Sequence, residues 1–259
     1  MRFKDKVVVV TGGWRGIGFA IGEAFLDEGA NVACIDNVDV DLPMRTGGHF
    51  FPISDDVSRS GECDFAVERI VGHWGGIDIL VNCAGIQPLE SYRRIHELDE
   101  EVWDRIQDVN LKGYFLMAKY CLPQMMQQGR GVIINIGSVT AHEGAKGISA
   151  YSASKAGVDS LTRSIALEYA EYGIRCVGVC PGTVDTERLR TTLTAQTHGV
   201  SPEEALAKLG AAHPVGRVGM PTEVASLVLY LASDAASFIT GCCIPVDGGG
   251  LAKGYYSVG

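Results

Sequence analysis

Apolar and polar positions along this chain follow two periods, and the switching between them lays out its elements. Val7-Val8-Val9-Val10 is a continuous β-branched run closed by glycines at 12 and 13, the pattern of a parallel strand buried on both faces. Ile17, Ala20, Ile21, Ala24 and Phe25 then recur at helical spacing up to Gly29, and a second apolar run, Asn31–Asp36, follows. The same reading predicts strands over residues 50–53, 77–82, 131–137, 174–180 and 241–247, and helices over 61–74, 100–128, 151–172 and from Pro221 to Leu231. Strand and helix alternate throughout. An α/β chain of this kind forms a doubly wound parallel sheet with helices on both faces, and its ligands bind at the carboxyl ends of the strands.

Two stretches break the alternation. Residues 37–49 read as a loop, with Pro43 and paired glycines. Residues 183–214 are polar and helix-prone, too long for a simple connection, and are expected to form either a lid or a plain surface excursion. With no linker, internal repeat or low-complexity segment, residues 1–259 are expected to fold as one catalytic domain.

Composition narrows the partners. A net charge of -9 and a pI near 5.1, with no run of Lys or Arg, argue against binding a phosphate backbone, so no nucleic acid partner is expected. The first apolar run is too short for a signal peptide or a membrane span, which predicts a cytoplasmic protein with no membrane association. Eight cysteines are scattered through apolar contexts with no Cys-x-x-Cys and no His at ligand spacing. They are expected to be reduced, buried thiols, and no metal is expected.

Candidate chemistry gathers at predicted strand ends. Gly12-Gly-Trp-Arg-Gly16-Ile17-Gly18 joins the first strand to the first helix, where glycines allow a tight turn and the helix N-terminus offers amides to a pyrophosphate. Its spacing departs from Gly-x-Gly-x-x-Gly, so alone it could be a structural turn. Asp36 ends the second strand 18 residues after Gly18, where a carboxylate can accept hydrogen bonds from an adenosine ribose and would repel a 2′-phosphate. Asp56, Asn82, Ser138 and Pro181-Gly182 end further strands. Turns favour such residues singly, but five along one sheet edge define a site. Tyr151 and Lys155, four apart on a predicted helix, share one face, so the ammonium would lower the phenol pKa and fit the tyrosine for proton exchange with an alcohol or carbonyl.

Taken together, Thr11-Gly12-x-x-x-Gly16-Ile-Gly18, Asp56-Val57, Asn82-Cys83-Ala84-Gly85, Asn110, Ser138, Tyr151-Ser-Ala-Ser-Lys155 and Pro181-Gly182 resemble the short-chain dehydrogenase/reductase family, from Lys6 to Gly250. The resemblance implies a Rossmann-type fold and a catalytic tetrad. Tyr151 would be the acid/base, Lys155 would tune it and hold the nicotinamide ribose, Ser138 would hydrogen-bond the reacting oxygen, and Asn110 would interrupt its helix to hold a water linking Lys155 to solvent. The implied cofactor is NAD, with contacts from Gly12, Arg15, Gly16, Ile17, Gly18, Asp36, Asp56, Val57, Asn82, Ala84, Gly85, Tyr151, Lys155, Pro181, Gly182, Val184 and Thr186. Arg15 competes with Asp36 as a signal for NADP. Cys83 departs from the family's more frequent Asn, with little effect expected because the backbone turn is what matters there.

The segments that line the substrate pocket in the family offer here Gln87, Thr140, His142, Glu143, Thr183, Thr186, Arg188 and Arg190. Together with Ser138 and Tyr151, this polar lining with two cations suits a sugar, polyol or sugar acid. A 3-oxoacyl-thioester reductase is the alternative, and a dinucleotide-binding regulator without catalysis is the alternative of another class. The resemblance also implies a homotetramer. It would pair the helices over 100–128 and 151–172 in one contact and use the Pro221 helix with the last strand in another, and the tail from Leu251 would reach a neighbour.

Overall fold

The structure, a computed structural model, describes residues 1–38, 49–197 and 199–253. Most of the expected loop, from residue 39 to 48, and the tail from residue 254 lie outside the described residues. Seven strands, β1 Val7–Thr11, β2 Asn31–Asp36, β3 Phe50–Ser54, β4 Ile79–Asn82, β5 Gly131–Ile136, β6 Ile174–Pro181 and β7 Cys243–Val246, form one parallel sheet in the order β3-β2-β1-β4-β5-β6-β7. The expected architecture is present. The order reverses between β1 and β4, so their carboxyl ends diverge and leave a crevice.

Strand periodicity divides the core into two layers. Val8, Val10, Val32, Val81, Ile134 and Val179 face α1 (Gly16–Asp27) and α8 (Pro221–Ala232), where Ile21, Phe25, Val224 and Val228 are buried. Val7, Val9, Ile35, Leu80 and Ile133 face the other way, towards α2 (Ser60–Trp74), α4 (Gly113–Gln128) and α5 (Ser149–Tyr169). Because successive side chains point to opposite faces, an unbroken apolar run such as Val7 to Val10 is needed where both faces are covered. Each fully buried side chain of this size contributes about 1.5–3 kcal/mol.

Between α3 (Glu100–Gln107) and α4 the chain makes a π-helical turn, Asp108–Lys112, which places Asn110 in the interior with none of its surface exposed. Among its described residues, the 183–214 segment is largely helical. It forms α6 (Glu187–Gln196) and α7 (Pro202–Ala211), packed together through Leu193, Ala205 and Leu206. Ser201 and Glu204 form a reciprocal capping box at the start of α7, which satisfies two amides that the helix itself leaves open.

Candidate active site

The crevice encloses about 370 Å³ and runs from Asp36 at one end to Tyr151 and Arg188 at the other. Its floor begins at the end of β1, where Thr11 Oγ1 accepts hydrogen bonds from the backbone amides of Cys83 (3.0 Å) and Ala84 (3.1 Å). That pair fixes the turn after β4 against the glycine-rich turn. Gly12 has φ +65°, and a Cβ there would lie 2.8 Å from Ala84 Cα, so only glycine allows this approach. Burial pushes the Cys83 thiol up to about 12, and its backbone amide is what joins it to Thr11.

Helix α1 starts after Arg15 with no side-chain cap and no acidic residue in its first turn. Its amides are therefore open to an anion in the crevice, and the helix dipole favours one. Asp36 lies at the edge of the same turn, where its Oδ2 accepts from the Trp14 amide at 3.3 Å. A bare turn, an uncapped helix and a carboxylate at the end of the second strand fit a dinucleotide.

Gly12, Arg15, Gly16, Ile17, Gly18, Asp36, Asp56, Val57, Ala84, Gly85, Tyr151, Lys155, Pro181, Gly182, Val184 and Thr186 all line the crevice, as do Gln87, Ser138, Thr140, Glu143, Thr183 and Arg188. Four expected residues do not: Asn110, fully buried in its π-helical turn, and three more. Asn82 is fully buried in β4 and donates to Asn135 Oδ1 at 2.9 Å, so it supports the floor rather than reaching a ligand. Arg190 points away, bound to Asp185 at 2.7 Å and Glu203 at 3.3 Å. His142 turns behind Ser138 to Asp159, at 3.0 Å. Of the two expected cations, only Arg188 remains beside Tyr151.

At the inner end, Lys155 is almost fully buried on α5 and donates to Ile136 O (2.8 Å) and Tyr114 Oη (3.2 Å). Its nitrogen lies 5.0 Å from the Tyr114 ring centre and 5.8 Å from that of Tyr151. Desolvation lowers the Lys155 pKa, with Tyr151 opposing that loss of charge. For Tyr151 desolvation alone would raise the pKa, but the positive charges of Lys155 and Arg188 and hydrogen bonds from Arg188 and Ser138 outweigh it, and the net shift is downward. Burial holds the neighbouring Tyr114 phenol well above its ordinary value although the Arg188 charge opposes it, so two tyrosines near one lysine shift in opposite directions because only Tyr151 also accepts hydrogen bonds from Arg188 and Ser138.

Asn110 grips the chain after Gly85, accepting from the Ile86 amide (2.7 Å) and donating to the Ile86 carbonyl (2.9 Å). A Cβ at Gly85 would lie 3.5 Å from Asn110 Oδ1 and 3.6 Å from Lys155 Nζ. The glycine thus keeps open the space between the two groups. Ser138 is the N-cap of a short turn, accepting from the Thr140 amide at 3.2 Å and from its hydroxyl at 3.0 Å. A Ser hydroxyl has two acceptor lone pairs and one proton, so this leaves the proton for Tyr151.

Sequence reasoning missed Tyr114 and Tyr92. Tyr114 follows Asn110 by four residues, the same helical spacing that links Tyr151 to Lys155. Tyr92 lines the pocket from an irregular segment where no periodicity points to it, beside Arg188 and Thr192.

The comparisons agree with this geometry. A family model described as enoyl-(acyl carrier protein) reductase matches residues 12–250. The chain is 39% identical to 2-(S)-hydroxypropyl-CoM dehydrogenase 3 of Xanthobacter autotrophicus, covering 96% of this chain and 97% of the other. It is 37% identical to sorbitol-6-phosphate 2-dehydrogenase of Klebsiella pneumoniae, with 96% and 97% covered. Among solved structures, the ligand-free aldohexose dehydrogenase of Thermoplasma acidophilum superposes with a TM-score of 0.92 at 40% identity, covering 99% and 98%. The chain belongs to the short-chain dehydrogenase/reductase family. It is an oxidoreductase, and the family's dehydrogenases use nicotinamide cofactors.

If the Lys155 charge sets the Tyr151 pKa, Lys155→Met should move the acid limb of the pH–rate profile for alcohol oxidation upward, towards the ordinary phenol range. The sign follows because the reaction needs the deprotonated phenol and the ammonium favours that form. Rates measured across pH with saturating cofactor test this, and an unmoved limb would refute the coupling.

Proposed function

We propose that the protein is an NAD-dependent dehydrogenase/reductase interconverting an alcohol and a carbonyl on a small polar substrate, namely a sugar, polyol or sugar acid. The observation that carries this reading is the Tyr151 phenol, made more acidic between Lys155, Ser138 and Arg188 at the inner end of a crevice whose outer end is Asp36. NAD, when bound, supplies the two-electron chemistry at the substrate carbon. In this reading Asp36 takes the adenosine ribose, the open amides of α1 take the pyrophosphate, and Lys155 takes the nicotinamide ribose. Ser138 donates to the reacting oxygen while Tyr151 accepts its proton in oxidation and returns it in reduction. Lys155 holds Tyr151 ionised, and Asn110 positions the water that carries the proton outward.

Arg188 favours an anionic or polyhydroxylated substrate. It lies 6.0 Å from the Tyr151 ring centre, while Gln87 and Glu143 line the same cleft and offer partners for hydroxyls. One relative is named for a sugar phosphate and one solved neighbour for an aldohexose, which supports that class. The acyl-thioester reading draws on the description of the matching family model, but Asp36 opposes it, because reductive biosynthesis commonly uses NADPH. The regulator reading is tested by turnover itself.

A screen of polyols, aldoses, hydroxy acids and sugar phosphates with NAD should give NADH formation that Tyr151→Phe lowers by ~10²-fold or more, the usual contribution of such a group. Arg188→Gln should raise KM for the anionic substrates more than for neutral ones. Absence of turnover with the whole panel would leave the regulator reading in its place.

Asp36 should also set coenzyme choice. Two like charges about 4 Å apart in a partly desolvated cleft repel by about 4 kcal/mol at an effective dielectric constant near 20, ample for a preference of about a hundredfold. The ratio of kcat/KM with NAD to that with NADP should therefore be large in the wild type and collapse in Asp36→Ala. Equal use of both by the wild type would show that Arg15 prevails.

The same reading includes a homotetramer. Exposed Trp103, Phe115 and Leu167 on α3, α4 and α5 would serve one contact, and Tyr230 on α8 with Phe238 the other. Light scattering at micromolar concentration should give a mass of four chains, and a monomer would overturn the assembly.

A further inference from the structure

Behind Ser138, away from the crevice, the fold collects three side chains that the sequence keeps far apart. His142 leaves the short turn after β5, Asp159 faces inward from α5, and Cys180 is the penultimate residue of β6. His142 Nε2 lies 3.0 Å from Asp159 Oδ2 and 3.7 Å from Cys180 Sγ, and Cys180 Sγ lies 3.8 Å from Asp159 Oδ1. We propose that these three side chains form a binding site for a divalent cation of the zinc class.

The separations fit such an ion. Four ligands at about 2.0–2.3 Å in tetrahedral array stand roughly 3.3–3.8 Å from one another; the three donor atoms here bracket that range, from 3.0 Å between His142 and Asp159 to at most 4.8 Å, so small side-chain rotations bring all three onto one ion. Donor chemistry selects the metal. Imidazole and thiolate beside one carboxylate suit zinc, whereas magnesium and calcium require oxygen ligands throughout.

The surroundings fit as well. Asp159 is 4% exposed, and its only ion-pair partner among the described residues is His142, so a buried carboxylate here lacks a permanent cation. A Cβ at Gly137 would lie 3.0 Å from Cys180 Sγ and 3.2 Å from Asp159 Oδ1; the glycine keeps that side clear. Cys243, on the neighbouring strand β7, lies close enough to influence Cys180 and Asp159, and outer neighbours of this kind orient metal ligands. The His142 side chain is 41% exposed and gives the ion a way in. Three protein ligands leave the fourth position to solvent.

Linear spacing concealed the site because its ligands come from a turn, a helix and a strand at 142, 159 and 180. It uses none of the atoms assigned to turnover, so it stands or falls separately from the proposed activity.

The full-length protein, reduced and freed of metal by a chelator, should take up one zinc per chain at micromolar zinc. Cobalt(II) in its place should give a thiolate-to-metal charge-transfer band. Cys180→Ser should abolish that band, His142→Ala should abolish stoichiometric uptake, and Cys243→Ser should weaken affinity about tenfold. Because His142 is at the surface, its variant tests the site even if Cys180→Ser fails to fold. No uptake, uptake unchanged in His142→Ala, or bound cobalt without the band would each overturn the proposal. So would a reduced protein that binds no metal but, on oxidation, joins Cys180 to Cys243.

Discussion

The charge of Lys155, held next to the Tyr151 phenol where little water reaches, is the constraint on which the site depends. Taking an ammonium out of water costs several kcal/mol unless dipoles and opposite charge replace the solvent. Here the Ile136 carbonyl and the Tyr114 hydroxyl provide the dipoles, and the Tyr114 ring presents its negative face to the nitrogen. Tyr151 supplies what is missing when it ionises. Each group is thus costly alone, and each lowers the cost of charging the other.

Holding that pair requires three parts of the fold at once. The α5 helix spaces the two residues one turn apart, β5 brings the Ile136 carbonyl beneath the lysine, and the π-helical turn lets α4 begin where Tyr114 can reach it. The extra residue of such a turn is the local cost, and turns of this type recur at functional sites. Asn110 lies in this turn and bonds to both backbone groups of Ile86, so the irregularity in one helix is tied to the loop after β4.

Much of this was legible in the sequence because its causes are local. A β-branched run, a helical period and a glycine at positive φ each leave a mark within a few residues, and the strands, Asp36 and the Tyr151–Lys155 pair were read from such marks. What escaped depends on side-chain partners that no periodicity marks, most of them distant along the chain. Asn82 looked like a ligand-facing strand end, but its side chain pairs with Asn135 on the next strand. Arg190 looked like a second cation for the substrate, yet Asp185, five residues earlier, and Glu203 on α7 hold it outward. His142 followed Ser138 closely and still faces the opposite side, because a buried carboxylate on α5 draws it there.

The segment after Gly182 links the two ends of the crevice. Thr186 caps α6 and also approaches the glycine-rich turn, where a Cβ on Gly16 would lie 3.5 Å from its methyl group. Two residues on, Arg188 reaches the phenol of Tyr151. A helix start is stiff over so short a span, so Thr186 and Arg188 cannot shift independently. The position of α6 therefore sets at once the wall beside the glycine-rich turn and the distance of a cation from Tyr151. Packing of α6 on α7 through Leu193 and Leu206 gives this helix pair its own small core, so the residues that carry Thr186 and Arg188 rest on a packed unit.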